Sequence, residues 1–467
     1  MAALVFDPIS AVCSKRQRRK SKGYMNTKNL GIVLGSLASA AIINSGQAQS
    51  SDALLDKLVQ KGILTQQEAS DLRDQADNDF TKAYQVKSGL PDWVTTLRIG
   101  GDFRGRYDMI HGDNESLRDR HRFRYRLRAG AVATMMENLE VGFRLSSGEA
   151  VGNFGGDPIS GNATLQNNAS KKFVWIDLAY GRWSPVISDT MRDSVTIGKM
   201  ENPFVVSDMI FDADYTPEGI GNQFVFTPND VHAFKFNVGA FALDELSGSS
   251  RDPYLFGGQL RWDAKWSLKW DTTLGVMAYS IYRSDSMTTA NVPDVNFGNS
   301  REASGELSHY FNPVYADIGI GYTLPEFPIG GIYSGPFPIR LIGDALHNPA
   351  APTRNSAFSG GIMIGKSGKK GTWDLSWRYR FVESDATYEE FIESDFGAFY
   401  PSGGGGYRPG TNLKGHVVKL NYSPAHALTF GISYYLVELL QEDAFVGATQ
   451  DDNTLTGRLL VDAIWKF

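Results

Sequence analysis

The sequence is nearly free of cysteine, and no long apolar run follows its leader. Cys13 is the only cysteine among 467 residues, and it lies upstream of a predicted signal-peptide cleavage site. A mature chain without cysteine excludes a disulfide framework and any cysteine-based metal site. No apolar segment after the leader approaches the roughly 18 residues of a membrane-spanning helix. If the chain crosses a membrane, it must do so as a closed β-barrel, because lipid cannot satisfy open strand edges.

The sequence is also poor in recognisable catalytic or metal-binding patterns. Its seven histidines are dispersed, without metal-ligand spacing, and no serine, histidine and acid set is placed as in a hydrolase. Six carboxylates near residue 390 are candidate Ca²⁺ ligands, but we expect them to be solvated on an external loop. They are Glu383, Asp385, Glu389, Glu390, Glu393 and Asp395. We therefore expect no metal, no cofactor and no enzymatic activity.

Residues 25–48 have the features of a secretory signal peptide. Lys28 gives the positive start, residues 30–43 are apolar or small, and Gly46 and Ala48 suit a cleavage site after Ala48. This pattern predicts a true start at Met25 and a leader over residues 1–48. The basic residues before Met25 are an extended positive start or an upstream over-read, and a nucleic-acid-binding tail is the less favoured alternative.

The charge of the mature chain excludes one class of partner. Removal of residues 1–48 leaves 39 basic and 51 acidic residues, a net charge of −12. A chain this acidic is a poor candidate for nucleic-acid binding.

Residues 49–90 are predicted to form a periplasmic helical hairpin and a linker. Apolar residues at 54, 55, 58 and 59 follow helical spacing, and Gly62 interrupts them. Thr65 with Glu68 three residues later has the spacing of a capping box. We favour a small extension that packs on itself, and a coiled coil for oligomerisation or a cell-wall anchor remains the alternative.

From Trp93 onward, apolar and polar residues alternate with a period of two. In residues 455–467 one parity is apolar, ending in Trp465 and Phe467, and the other is mostly polar with Leu460 and Ile464 as exceptions. A strand sends successive side chains to opposite faces, and roughly 9–11 residues suffice for a tilted strand to cross the hydrocarbon layer. The aromatic carboxyl terminus is similar to the last strand of outer-membrane barrels, which the barrel assembly machinery reads.

The alternation recurs in about sixteen segments, an even number, as bacterial single-chain barrels require. Short turns such as 135–138 and 423–427 alternate with long loops such as 283–312 and 383–412, which is typical of a transmembrane barrel. We therefore predict an all-β fold: a transmembrane antiparallel barrel over residues 91–467. The predicted strands are 97–109, 122–133, 139–145, 174–180, 195–199, 219–226, 234–243, 256–264, 268–282, 314–323, 339–346, 357–365, 373–381, 416–422, 428–436 and 455–467.

Two motifs in the middle of the chain resemble a known family. The sequences GKMENPF at 198–204 and FDADYTPEG at 211–219, together with the helical hairpin and the arginine-rich block 98–128, are similar to those of the bacterial putative porin family. The resemblance implies an outer-membrane barrel with a water-filled lumen, and it implies no particular solute.

The polar parity of the first three strands is rich in arginine. If the apolar parity faces lipid, these arginines line one inner wall of the pore, where their mutual repulsion requires water and counter-charge. Five carboxylates of residues 201–218, which are long for a connection and are expected to fold inward, form the second half of a selectivity field. A plain solvated lining remains equally open. The candidates are Arg98, Arg104, Arg106, Arg122, Arg124, Arg126, Arg128, Arg144, Glu201, Asp208, Asp212, Asp214 and Glu218.

These observations favour a porin in the bacterial outer membrane that allows passive diffusion of small hydrophilic solutes or ions. The expected partners are outer-membrane lipid, the barrel assembly machinery, the solutes and further copies of the chain. The alternatives are a structural protein that anchors the membrane to the cell wall through its N-terminal helices, and a barrel enzyme.

Overall fold

The computed structural model describes residues 90–112, 119–152, 154–293, 298–397, 410–441 and 455–467. The predicted signal peptide and helical hairpin lie outside the described residues. Within these ranges, no helix has the length and apolar character needed to cross a membrane.

The described residues form an all-β fold of eighteen strands, of which sixteen are long. The two short strands, β4 (Ala163–Thr164) and β6 (Val186–Ser188), lie in connections. The long strands are β1 (Val94–Gly112), β2 (Arg120–Met135), β3 (Leu139–Gly148), β5 (Phe173–Trp183), β7 (Met191–Lys199), β8 (Glu218–Phe226), β9 (His232–Ala242), β10 (Tyr254–Lys265), β11 (Trp270–Tyr282), β12 (Val314–Leu324), β13 (Phe337–His347), β14 (Ser356–Gly365), β15 (Thr372–Val382), β16 (Leu413–Ala425), β17 (Leu428–Leu439) and β18 (Thr456–Lys466).

The sheet is a closed antiparallel barrel of sixteen strands, as predicted. Each long strand pairs with its neighbours in the chain, and β1 pairs with both β2 and β18. At the seam, the N–H of Gly101 donates to the carbonyl of Phe467 at 2.9 Å, and the N–H of Phe467 donates to the carbonyl of Gly101 at 3.1 Å. Closure leaves no edge strand, so every strand of the wall has backbone partners on both sides.

The last strand shows how the alternation is used. Val461 and Trp465 are exposed on the outer face of the barrel, whereas Arg458, Leu460 and Asp462 point inward. The apolar Leu460 on the polar parity is fully buried in an interior cluster with residues of β1, β16 and β17. One interior cluster therefore explains a break in the sequence alternation.

The connections have two lengths. Turns at one end of the barrel are short, as between β2 and β3 or between β16 and β17, and the exception is the connection between β12 and β13. There Phe327, Tyr333, Phe337 and Trp373 form an aromatic cluster with ring centroids 4.5 to 6.5 Å apart. The long loops leave the opposite end, and several of them fold back into the barrel.

Part of the interior is a packed apolar core rather than an open lumen. Phe204 and Phe211 of the β7–β8 loop and Phe391 of the β15–β16 loop are buried against the inward faces of strands β9 to β15. Tyr279 of β11 contacts both Phe211 and Phe391. The core fills part of this side of the barrel. Polar interior surface lies along β1, β2 and β16 to β18, and also on β9 to β12, where Lys235 contacts Asp263 and Arg261 contacts Asp317.

Candidate functional site

The predicted arginine wall lies on three adjacent strands. β2 pairs with β1 and with β3, and the register sets Arg104 opposite Arg126 and Arg106 opposite Arg124. The outward neighbours Phe103, Leu127 and Phe123 are exposed on the lipid side. Alternation on paired strands thus gathers the guanidinium groups on one inner surface.

Carboxylates on the same strands neutralise part of this wall. Asp102 accepts from Arg128 at 2.7 Å and from Arg126 at 3.1 Å. Asp108 is fully buried and contacts Arg122 at 2.6 Å and Arg458 of β18 at 3.0 Å. Cations therefore outnumber anions on these strands, so the arginines can also pair with carboxylates from elsewhere in the barrel.

The β7–β8 loop, residues 200–217, crosses the interior of the barrel. Near its end, Asp214 contacts Arg126 at 2.7 Å and Arg128 at 2.9 Å on β2. Near its middle, Asp208 contacts Arg380 of β15 at 2.5 Å and Arg378 at 3.3 Å. Because β2 and β15 are separated around the wall by β1, β18, β17 and β16, a loop bound to both must pass through the lumen.

The β15–β16 loop also folds inward, against the expectation of solvated external carboxylates. Asp395 contacts Arg458 at 3.1 Å and Arg106 at 3.2 Å. Glu393 contacts Arg380 at 2.5 Å and Lys419 at 2.9 Å. The expectation was wrong for these acids because it placed the whole loop outside the barrel, whereas strand cations attract its carboxylates inward.

Three other carboxylates of this loop, those of Asp385, Glu389 and Glu390, are also buried. Glu389 is 1% exposed and contacts Arg301 of the β11–β12 loop at 2.5 Å, and Asp385 accepts from the N–H of Ser300 at 2.9 Å. Within the described ranges, no group of three or more His, Cys, Asp or Glu side chains could hold a metal ion.

The two inward loops are joined to each other. The N–H of Asp212 donates to the carbonyl of Phe391 at 2.6 Å, and the N–H of Glu393 donates to the carbonyl of Asp208 at 3.0 Å. The rings of Phe211 and Tyr215 also pack against Phe391 in tilted orientations, with centroids 5.2 and 4.9 Å away. The loops therefore form one constriction that is fixed at both sides of the barrel.

A polar cavity of about 210 Å³ remains between the constriction and the wall. Arg104 and Arg106 of β1 border it on one side, and both loops border it on the other. Its volume is below the roughly 300–1,000 Å³ of pockets for drug-sized ligands, so it suits a small solute. The remaining lining residues are Ile159, Ser160, Asn162, Asp208, Asp212, Ala213, Asp214, Glu393, Ser394, Asp395, Lys419, Ser433 and Tyr435.

The carboxylates in the cavity differ in charge state. Burial disfavours ionisation of Asp395, but Arg106 and Arg458 overcome this and hold its pKa below the ordinary value. Among the described residues, the Asp212 carboxyl accepts one hydrogen bond, from the backbone N–H of Asp214 at 2.7 Å. Burial and the nearby charge of Asp214 hold its pKa well above 3.8. Asp212 is therefore the carboxyl in this cavity that favours the protonated, uncharged form.

The other predicted site residues lie away from the cavity. Arg144 contacts Asp177 and Glu201, and Arg98 lies 3.7 Å from Glu140 with a largely exposed side chain. Glu218 is the first residue of β8. Its side chain points outward, like that of Ile220, and it contacts Lys199 at 3.0 Å.

The two predicted assembly residues lie at the seam. Trp465 is exposed on the outer face beside Phe103, with ring centroids 5.7 Å apart, and Phe467 bonds to Gly101 through its backbone. Their role in assembly stays a prediction.

Four cations of the constriction escaped prediction. They come from β15, β16 and β18, far along the sequence from the arginine block. Alternation within those strands marks them as inward-facing, but nothing in the sequence tells which loop each contacts. They are Arg378, Arg380, Lys419 and Arg458.

Comparison with known families identifies one match. Residues 110–310 match the model of the family described as putative porin, which confirms the resemblance stated from the two sequence motifs. No curated protein matches the chain.

Solved outer-membrane proteins are similar in fold. OprB of Pseudomonas putida has 10% identity and a TM-score of 0.48, with 82% of this chain and 97% of that chain covered. OmpT of Vibrio cholerae, in a trimer form, has 11% identity and a TM-score of 0.41, with 80% and 99% covered. A variant of the Rh. blastica porin has 9% identity and a TM-score of 0.37, with 80% and 100% covered. At such low similarity these proteins say nothing about what passes through this barrel.

Proposed function

We propose that this chain, whose residues 110–310 belong to the putative porin family, is an outer-membrane porin for passive diffusion of small hydrophilic solutes or ions. The observation that carries the proposal is a closed barrel whose interior holds a charged cavity between an arginine wall and two inward loops. Fixed charges around a narrow aqueous passage select ions by sign and size. The family match favours a channel over a barrel enzyme.

The geometry supports a route along the basic side of the barrel. The apolar core occupies part of the interior beside β9 to β15, and a charged solute avoids such a surface because it would lose its hydration there. The cavity beside β1 offers hydroxyl, amide and ionic groups instead. A solute that crosses the constriction therefore passes close to Arg104 and Arg106.

Conductance of the purified full-length protein in planar bilayers tests this function. We expect stepwise insertion of open channels in 1 M KCl, and entry of small neutral sugars into proteoliposomes by osmotic swelling. Heat-denatured protein serves as the control. A correctly folded barrel that conducts neither ions nor sugars would contradict the proposal and favour the cell-wall anchor. Assembly into a homo-oligomer stays a prediction, tested by sedimentation of the detergent-solubilised protein.

A further inference from the structure

Arg104 differs from the other cations around the cavity. Within the described ranges, every neighbouring cation of the wall lies within 4.0 Å of a carboxylate, whereas Arg104 has no such contact. Its Nη2 donates to Oδ1 of Asn162 at 2.8 Å, and its Nε has no hydrogen-bond partner. The residue is only 9% exposed. A buried guanidinium with unused donors is costly unless an acceptor reaches it.

The cavity brings other donors to the same place. Ser160 and Asn162 come from the β3–β5 loop, which lies over the wall because Thr164 of β4 pairs with Arg124 of β2. Oγ of Ser160 accepts from Nδ2 of Asn162 at 3.0 Å and keeps its own proton for donation. The cation and the hydroxyl thus border one space.

Among the described residues, no acid of the cavity lies within 4.0 Å of Arg104, although Asp395 attracts it from farther away. Asp214 and Asp395 each contact two arginines, and Glu393 contacts Arg380 and Lys419. Asp212 has no cationic partner among the described residues, and its raised pKa keeps a proton that can be donated to an acceptor. An anion placed beside Arg104 therefore meets a cation that no described carboxylate contacts, together with neutral donors, and the ionised acids of the cavity are paired with other cations.

We propose that Arg104 and Ser160 form a binding subsite for one small oxyanion, a monocarboxylate or inorganic phosphate, inside the constriction. The guanidinium supplies the charge-assisted hydrogen bond to the anion. The cavity volume of about 210 Å³ limits the solute to a few heavy atoms beyond the oxyanion group. This subsite rests on the proposed porin function and names a solute class for it.

The experiment measures chloride current through single channels while phosphate or acetate is added. We expect each bound anion to reduce the current at increasing concentration, and Arg104→Gln to weaken this block at least tenfold, because a charge-assisted hydrogen bond is lost. Arg104→Lys keeps the charge but not the fork, so its block should be intermediate. Block by only one of the two probes assigns the subsite to that oxyanion and supports the proposal.

Arg122→Gln is the matched control. It removes one positive charge from the same wall, Asp108 keeps its contact with Arg458, and Arg122 does not border the cavity. Block in this variant should stay within about twofold of the unmodified protein, since only long-range screened charge is lost. Equal weakening by both variants, or no block by either anion, would overturn the subsite.

Calorimetry separates this proposal from the porin function. Phosphate and acetate are titrated into the detergent-folded full chain and its Arg104→Gln variant, after heat-modifiable mobility on a gel has shown that both are folded. Binding that is lost in the variant supports the subsite even if no channel conducts. A conducting channel without binding overturns the subsite and leaves the porin function standing.

Discussion

The carboxylate of Asp214 lies 2.7 Å from Nη1 of Arg126, although the two residues are 88 positions apart. The contact joins the β7–β8 loop to the arginine wall, and Asp208 of the same loop contacts Arg380 on β15. The middle of the loop and a point near its end are thereby attached to two basic surfaces. Asp214 also contacts Arg128, and Asp208 also contacts Arg378, so each attachment of the loop is shared by two cations.

The first prediction concerns closure of the barrel. A Cβ on Gly101 would lie 2.1 Å from the carbonyl oxygen of Arg128 and 2.8 Å from Cζ of Phe467. Gly101→Ala should therefore disturb the seam, and deletion of Phe467 should do the same by removing its two backbone bonds. The measurement is the fraction of protein that migrates faster unboiled than boiled on a detergent gel.

Gly105 supplies the control for this seam. It lies on the same strand and the same parity, and a Cβ there would meet nothing within 4 Å. Gly105→Ala should leave the heat-modifiable fraction unchanged. An equal loss in both alanine variants would contradict a specific role for the close contacts at Gly101.

The second prediction concerns which face of β18 meets lipid. Val461 is exposed on the outer face, so Val461→Arg should destabilise the barrel by about 2–4 kcal/mol near the membrane midplane. Ser433 of β17 points inward and borders the cavity, so Ser433→Arg should change stability far less. Urea unfolding in lipid vesicles measures both. Comparable destabilisation would indicate a packed core on both faces instead.

The third prediction concerns the arginine wall. Simultaneous replacement of Arg122, Arg124 and Arg126 by Gln should shift the reversal potential in a salt gradient toward cation preference. Fixed charge raises the local concentration of its counter-ion, and salt screens this over about 8–10 Å near physiological ionic strength. The shift should therefore be largest at low salt. A variant that inserts normally with unchanged ion preference would reduce the wall to a solvated lining.

The fourth prediction concerns pH and Asp212. Its pKa is held well above 3.8 by burial and by the nearby Asp214, Glu393 and Asp395. Rising pH should therefore add one negative charge to the cavity as Asp212 ionises, and anion preference should decline through that raised pKa. Stability should fall over the interval from about 3.8 up to the raised pKa, since there the folded state binds the proton more tightly than the unfolded state.

Asp212→Asn provides the comparison for this titration. The variant mimics the protonated carboxyl, so at low pH it should match the unmodified channel, and at high pH it should keep the anion preference that the unmodified channel loses. The measurement is the reversal potential of both channels at several pH values. The same decline in both proteins would assign the titration to another group.

Asp214→Asn, by contrast, removes a charge that is paired with Arg126 and Arg128, and it should shift preference toward anions at neutral pH.

The local sequence pattern was sufficient to predict the strands of the barrel wall, but it did not predict the contacts of the loops inside the barrel. The alternation around Arg104 and Arg126 predicted which side chains point inward, because side-chain direction in a strand depends only on parity. The length of the connection at 201–218 predicted an inward segment with Asp214 in it. The partners of Asp395 were missed, because a loop pattern carries no signal about which distant strand it will meet.

The amino-acid sequence by itself determined the fold class, the approximate number of strands, the lipid-facing parity and the position of the arginine block. These follow from periodicity and composition, which act over a few residues. The tertiary structure alone decided that two loops enter the lumen, that Asp208 contacts Arg380 while Asp395 contacts Arg458, and that no carboxylate of the described residues contacts Arg104. The reason is physical: barrel closure brings strands from both ends of the chain together, and long-range charge pairing then selects among many partners that are equivalent in sequence.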